Sequence, residues 1–217
     1  MRRWGRFPVV GCLLVLVLAG CGVTGEAVSE RGDLSDRAVR IEDFPVSGAT
    51  RVPTQVAAFA LNGLSGSDPA GNDPADCTPT RLDPEGSVVI QGLTAEGTSS
   101  FVYGIAYADD TVAQVEEQSK RCERVTSGGA NAQTVISTEV LPAPPGKSGV
   151  DTTSIRRTLT TGGVEQPLTT STLTLIAQRR QVRVLVQYRW PTAASIDPTA
   201  ASGLDSLFTK AVAAAFG

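Results

Sequence analysis

The sequence predicts an α+β fold class: a mainly antiparallel sheet with helices packed on one face, in a single domain. Three observations carry that expectation. Strand-like stretches follow one another through the C-terminal half with short, hairpin-like connections. Helical periodicity is confined to separate stretches near residues 52–64, 109–125 and 202–216. The composition of the 217 residues, 41% hydrophobic and 19% charged, is globular, and no internal repeat interrupts it.

Each element has its own reason. Val52 to Leu64 suits a short helix, with Pro53 in the first turn and Val56, Phe59, Ala60 and Gly63 on one face. Ser65 to Pro84 is broken by Gly66, Pro69, Gly71, Pro74 and Pro79 and reads as a loop. Ser87 to Leu93 reads as a strand. Ser99 to Ala108 is a stronger one, because Phe101, Tyr103, Ile105 and Tyr107 alternate with Val102, Gly104 and Ala106. Asp109 to Val125 reads as a helix capped by Asp109 or Asp110, with Val112, Val115, Ser119 and Cys122 inward. Gln133 to Leu141 is a strand, and the Pro/Gly run 141–149 breaks the chain after it. Three strands follow, 152–160, 167–177 and 181–190, with Thr161-Gly162-Gly163 as a hairpin turn. In the last strand Val182, Val184, Val186, Tyr188 and Trp190 face one way and Arg183, Leu185, Gln187 and Arg189 the other. Ser202 to Phe216 is a terminal amphipathic helix.

The N-terminus is an address. Arg2, Arg3 and Arg6 precede a twelve-residue apolar run, Phe7 to Leu18, too short to cross a bilayer core of roughly 30 Å. This is the form of a secretory signal peptide over residues 1–20. Leu18-Ala19-Gly20-Cys21 resembles the lipobox of bacterial lipoproteins, which implies that Cys21 is acylated and becomes the mature N-terminus. Two acyl chains on one residue suffice for stable anchoring, so the expected membrane partner is reached through this lipid. Residues 21–40 are polar and read as a lipidated tether, and 41–217 as the extracytoplasmic domain. The expected location is the outer face of the cytoplasmic membrane.

The residue inventory excludes several chemistries. There is no histidine, which removes Ser-His-Asp and Cys-His catalysis and His-based zinc sites. Cys12 leaves with the signal peptide and Cys21 carries lipid, so Cys77 and Cys122 remain as an even pair. In an oxidising compartment the simplest reading is one disulfide, closing a loop worth roughly 4 kcal/mol. Gly146-Lys147-Ser148 lacks the upstream glycine of a phosphate loop and reads as a turn. Asp68, Asn72, Asp73 and Asp76 lack calcium-loop spacing and read as turn residues. No metal, no cofactor and no catalytic residue is expected.

Charge is unevenly placed. Residues 21–150 hold 9 basic and 18 acidic side chains, whereas 151–190 hold six arginines against two acids. Arg156, Arg157, Arg179, Arg180, Arg183 and Arg189 either form a basic patch or discourage edge-to-edge strand pairing. Acidity and location together exclude nucleic acid. The aromatics offer the other candidate surface. Tyr103, Tyr107, Tyr188 and Trp190, with Arg183 and Arg189 on the reverse face, are the candidate ligand-binding residues, and the alternative is that the rings are core.

The lipobox, the polar tether, the Ala/Gly/Thr/Val-rich composition and the Cys77/Cys122 pair together resemble small actinobacterial lipoproteins of the mycobacterial type, similar to the extracellular sensor domain of a receptor kinase. The resemblance covers residues 41–217 and rests on the order of helix, Cys loop, strands, Cys helix, strands and terminal helix. It implies an antiparallel sheet with helices and a cleft. The function expected is a non-catalytic, lipid-anchored binding or sensor module of the cell envelope. Its partner is an envelope lipid, a peptidoglycan fragment or a protein. The alternative is a lipid or glycolipid carrier with an apolar cavity.

Overall fold

The computed structural model describes residues 31–67, 71–128, 134–162 and 167–217. Nine antiparallel strands form one sheet. They are β1 (Thr50–Arg51), β2 (Asn72–Asp73), β3 (Asp83–Leu93), β4 (Ser100–Tyr107), β5 (Arg124–Ser127), β6 (Thr134–Leu141), β7 (Asp151–Thr161), β8 (Leu168–Arg179) and β9 (Val182–Trp190). The strand order is β1-β3-β4-β9-β8-β7-β6-β5-β2. Three α-helices accompany it: α1 (Thr54–Ser65), α2 (Val112–Arg121) and α3 (Pro198–Phe216). The α+β antiparallel class is as the sequence predicts.

Local chemistry sets the helix ends. α1 stops at Gly66, whose φ of 78° is left-handed and whose N–H donates to the Asn62 carbonyl. α2 is capped by Thr111, which exchanges hydrogen bonds with Gln114, and not by Asp109 or Asp110. It is also shorter than its periodicity predicts. Val125 belongs to β5, because a β-branched run of Val125-Thr126 finds a partner strand in Val135-Ile136. α3 begins earlier than expected, at Pro198, because the Asp197 carboxylate accepts from the Thr199 and Ala200 amides. Of the expected turn at 161–163, Gly163 lies outside the described residues, as do Asp68, Gln133 and the lipobox with Cys21.

Residues 31–40 are not tether. Leu34 and Val39 are buried in the main core, and the Leu34 amide donates to the Gly86 carbonyl at 2.9 Å. Three apolar side chains within a polar run, Leu34, Val39 and Phe44, give no helical or strand period, yet each fills a place beside α3 and β3–β4. The folded chain therefore reaches back to Arg31.

The helices occupy both faces of the sheet, not one. α3 and the N-terminal segment cover Phe101, Tyr103 and Ile105 of β4 and Val184, Val186 and Tyr188 of β9. α1 and α2 lie over the alternate residues, Val102, Ala106 and Leu185 among them. Strand side chains point alternately to opposite faces, so a central strand apolar at every position needs cover on both sides. β4 reads that way through SFVYGIA. Gly104 is where α1 comes closest: a Cβ there would stand 2.6 Å from Leu64 Cδ1. Each large side chain so buried contributes about 1.5–3 kcal/mol.

Candidate ligand-binding site

The α3 face of the sheet is filled over β3, β4, β9 and β8. The α1–α2 face is filled only over β3, β4 and part of β9, and beyond that a cleft of about 770 Å³ opens. Its floor is the sheet from β5 to β9. Its walls are the last turn of α1, the segment around Cys77, and α2. The volume lies in the range of small-molecule sites, roughly 300–1,000 Å³.

Register lays the floor out in rows. Arg157 of β7 pairs with Thr172 of β8, and Thr172 pairs with Arg189 of β9. Thr138 of β6 continues this polar row on the far side of Arg157. Two residues along, Leu159 of β7 pairs with Ile136 of β6, and Ile136 with Val125 of β5. That apolar row is closed at one end by the Cys77–Cys122 disulfide, whose cysteines cluster with Val125 and Ile136. Phe59 and Leu168, 73% and 76% exposed, border the opening.

The two arginines of the cleft differ in their surroundings. Arg157 donates to the Ser65 carbonyl at 2.7 Å, one of the carbonyls that the end of α1 leaves without a helical partner. A Cβ on Gly66 would overlap its guanidinium, so glycine serves here both for its left-handed φ and for that close approach. Burial pushes the Arg157 guanidinium down to about 10. Arg189 makes no hydrogen bond among the described residues, and its Nη2 lies 3.8 Å from where a Gly63 Cβ would stand. The surrounding protein lowers its pKa as well, although water reaches it through the open cleft. Both remain cationic at neutral pH. No carboxylate offsets either of them among the described residues.

Gln187, 2% exposed, also faces the cleft. Its Nε2 donates to Thr174 Oγ1 at 2.9 Å and more weakly to the Leu64 carbonyl, while its Oε1 has no partner among the described residues. Ser67 Oγ, in the wall above, is likewise buried without a partner there. The cleft thus offers cationic donors, unsatisfied polar atoms and an apolar strip, with no acid/base pair among its described lining residues.

The expected ligand residues fall elsewhere, with one exception. Tyr103, Tyr188 and Trp190 are core: they are 0%, 7% and 7% exposed and lie in the cluster under α3. Phe101 and Tyr188 meet at 4.7 Å, and Tyr188 stacks on Trp190 at 5.7 Å. Burial pushes the Tyr103 hydroxyl above the usual phenol range. Tyr107 is covered by the N-terminal segment, with Arg31 over its ring and its hydroxyl donating to the Gly32 carbonyl. Arg183 is 3% exposed and engaged through its Nε and Nη2, bonding Gln178 Oε1 and pairing with Asp110 at 3.0 Å. It ties β8 and β9 to the start of α2. Only Arg189 lines the cleft.

The six arginines do not form one patch. Arg156 lies over Trp190 on the α3 face and donates to the Ala193 and Ala194 carbonyls, and Arg179 lies over Phe216. Arg180 holds the tight turn between β8 and β9 at a φ of 55°. Strand parity places Arg157, Arg183 and Arg189 on one face and Arg156 and Arg179 on the other, and Arg183 is taken up by Asp110 and Gln178. Arg157, Thr172 and Gln187 were legible as inward polar positions on neighbouring strands. Their grouping needs the register, which one strand alone does not encode.

Fold and cleft together define a single-sheet α+β scaffold with one open face. The chain belongs to a family described as a domain of unknown function (DUF5642), whose model matches residues 42–215. A search of curated proteins returned no match. Two solved mycobacterial structures are similar. One is an uncharacterised Rv0999 ortholog from Mycobacterium smegmatis, at 18% identity over 77% of this chain and 85% of that one, with a TM-score of 0.44. The other is the extracellular domain of PknH from Mycobacterium tuberculosis, at 15% identity over 75% of this chain and 97% of that one, with a TM-score of 0.41. Among the described residues no helix is long and apolar enough to cross a membrane.

Proposed function

We propose that the protein is a lipid-anchored, extracytoplasmic binding module of the cell envelope, without a catalytic step of its own, and that the cleft is its ligand site. The observation that carries this reading is the cleft itself: about 770 Å³, floored by arginines that no side chain neutralises among the described residues. A disulfide at Cys77–Cys122 suits an oxidising compartment. The signal-like N-terminus and the box ending at Cys21 supply the export route and the anchor. The apolar strip and the exposed Phe59 and Leu168 favour a second reading, a lipid carrier, in which the bound molecule is cargo and not a signal.

Native mass spectrometry of the protein isolated from its own host tests the site. A bound small molecule is expected, and Leu159→Trp, which fills the floor, should remove it while the fold survives. Retention of the molecule by Leu159→Trp would place the ligand elsewhere. Cys21→Ala tests the anchor: the protein should leave the membrane fraction or persist as an uncleaved precursor. A mutant that stays membrane-bound at mature mass defeats the lipid anchor.

A further inference from the structure

Among the arginines of the C-terminal strands, Arg183 spends its charge on Asp110 and Gln178, and Arg156 its donors on loop carbonyls. Arg157 and Arg189 keep most of theirs. Each guanidinium has five N–H donors. Arg157 uses its Nη1 on Ser65, and Arg189 uses none among the described residues. Their Cα atoms stand two strand spacings apart across Thr172, about 10 Å. Their tips reach the same end of α1: Arg189 Nη2 lies 3.8 Å from where a Gly63 Cβ would stand, and Arg157 Nη1 lies against the corresponding position of Gly66, the glycine that ends the helix. A phosphate or carboxylate set over Thr172 at this end of α1 is flanked by both guanidinia and can accept from both.

The end of α1 opposes an anion there, since its free carbonyls carry roughly half a negative charge. Two full positive charges outweigh it, and Arg157 already covers one of those carbonyls. Ser67 Oγ, 1% exposed and without a partner among the described residues, adds a hydroxyl in the same wall. Beside this polar end the floor turns apolar within one row, at Leu159, Ile136 and Val125. A free inorganic anion would leave that strip wet, and a neutral lipid would leave the guanidinia without a counter-charge among the described residues.

We infer that the cleft takes an amphiphile with a single anionic head group. Its head lies between Arg157 and Arg189, and its alkyl body lies over Leu159, Ile136 and Val125. This rests on reading the cleft as the ligand site. The shared chemistry is a phosphate or carboxylate on an alkyl chain, as in a phosphorylated lipid or a fatty acid.

The test uses the full chain in nanodiscs of neutral phosphatidylcholine, released and titrated in native mass spectrometry. The probes are octyl phosphate, octanoate, octyl glucoside and inorganic phosphate. One octyl phosphate or octanoate should bind per chain, at least tenfold tighter than octyl glucoside and than inorganic phosphate. The tighter of the two anions tells phosphate from carboxylate. Arg189→Gln should weaken both anions about tenfold and leave octyl glucoside unchanged. Arg157→Lys, which keeps a cation, should weaken them less. An unchanged melting temperature in Arg189→Gln shows that the fold is intact. Octyl glucoside binding as tightly as the anions, or an Arg189→Gln without effect on them, overturns the head-group assignment while the cleft stands. Inorganic phosphate binding as tightly as octyl phosphate overturns the amphiphile. No probe binding at all, with nothing retained from the host, overturns the cleft reading along with it.

Discussion

The two faces of the sheet are made by the same strands and do opposite things. Under α3, Tyr103, Val184, Val186 and Trp190 meet Leu204, Leu207, Phe208 and Ala211, and the space is full. On the α1–α2 side, the alternate residues of β9, Gln187 and Arg189, and their neighbours Thr172 of β8 and Arg157 of β7 face an open space. α3 is a 19-residue helix, and α1 has 12 and α2 has 10. The long helix and the N-terminal segment together close their face over β3, β4, β9 and β8, whereas the two short helices leave a gap on the other. The comparison teaches that an apolar alternation marks the face that holds the molecule together. The polar alternation behind it marks the face free to bind.

Substitutions sort by face if this is right. The largest effect should come from the closed side. Trp190→Ala removes a ring 7% exposed whose Nε1 donates to the Ala194 carbonyl at 3.0 Å. It should cost about 3–5 kcal/mol in urea unfolding and leave octyl phosphate binding intact. A small cost accompanied by lost binding would move the site to the closed face. Next comes the disulfide, in the wall of the open side. Replacing both Cys77 and Cys122 by Ala frees a loop with a sequence separation of 45 and should cost about 2–4 kcal/mol. Because the bond also closes the apolar end of the cleft, ligand affinity should fall as well. Full affinity in the double mutant would show that the Val125–Ile136 end takes no part in binding. The smallest is the α3 cap. Asp197→Ala removes the acceptor of the Thr199 and Ala200 amides and should cost about 1 kcal/mol, with binding unaltered. The stability cost is read from the shift in melting temperature, and any change in ligand affinity would mean that the faces are coupled.

Much of the fold was legible because strand parity is local. The inward and outward positions of 101–107 and 182–190 follow from alternation alone, and both agree with the sheet. The room left by Gly104 for a close helix was readable in the same way. Turn and cap chemistry placed α1 and the C-terminal hairpins to within a few residues. What was not legible was anything decided by a long-range partner. Leu34 and Val39 sit in a polar stretch whose composition reads as tether, and only the surface of α3 and β3 gives them a place. Asp110 reads as a helix cap, but its carboxylate meets Arg183, 73 residues away, and the cap passes to Thr111.

The candidate site shows the same division. Aromatic side chains with polar handles look like ligand contacts in one dimension, and here burial under α3 absorbs them. Arg183 and Arg189 share a strand face and sit six residues apart, so the sequence treats them alike. The tertiary structure separates them, because a carboxylate stands over one and a gap between two helices over the other.

Alone, the sequence determined the cysteine pair, the antiparallel sheet and the side to which each strand residue points. All of these depend on residue type and on spacing of a few positions. Only the tertiary structure decided which face is closed, which arginines have no counter-charge among the described residues, and that Leu34 and Val39 belong to the core. Those depend on the lengths and placements of helices that meet the sheet from distant parts of the chain, and no local pattern carries that information.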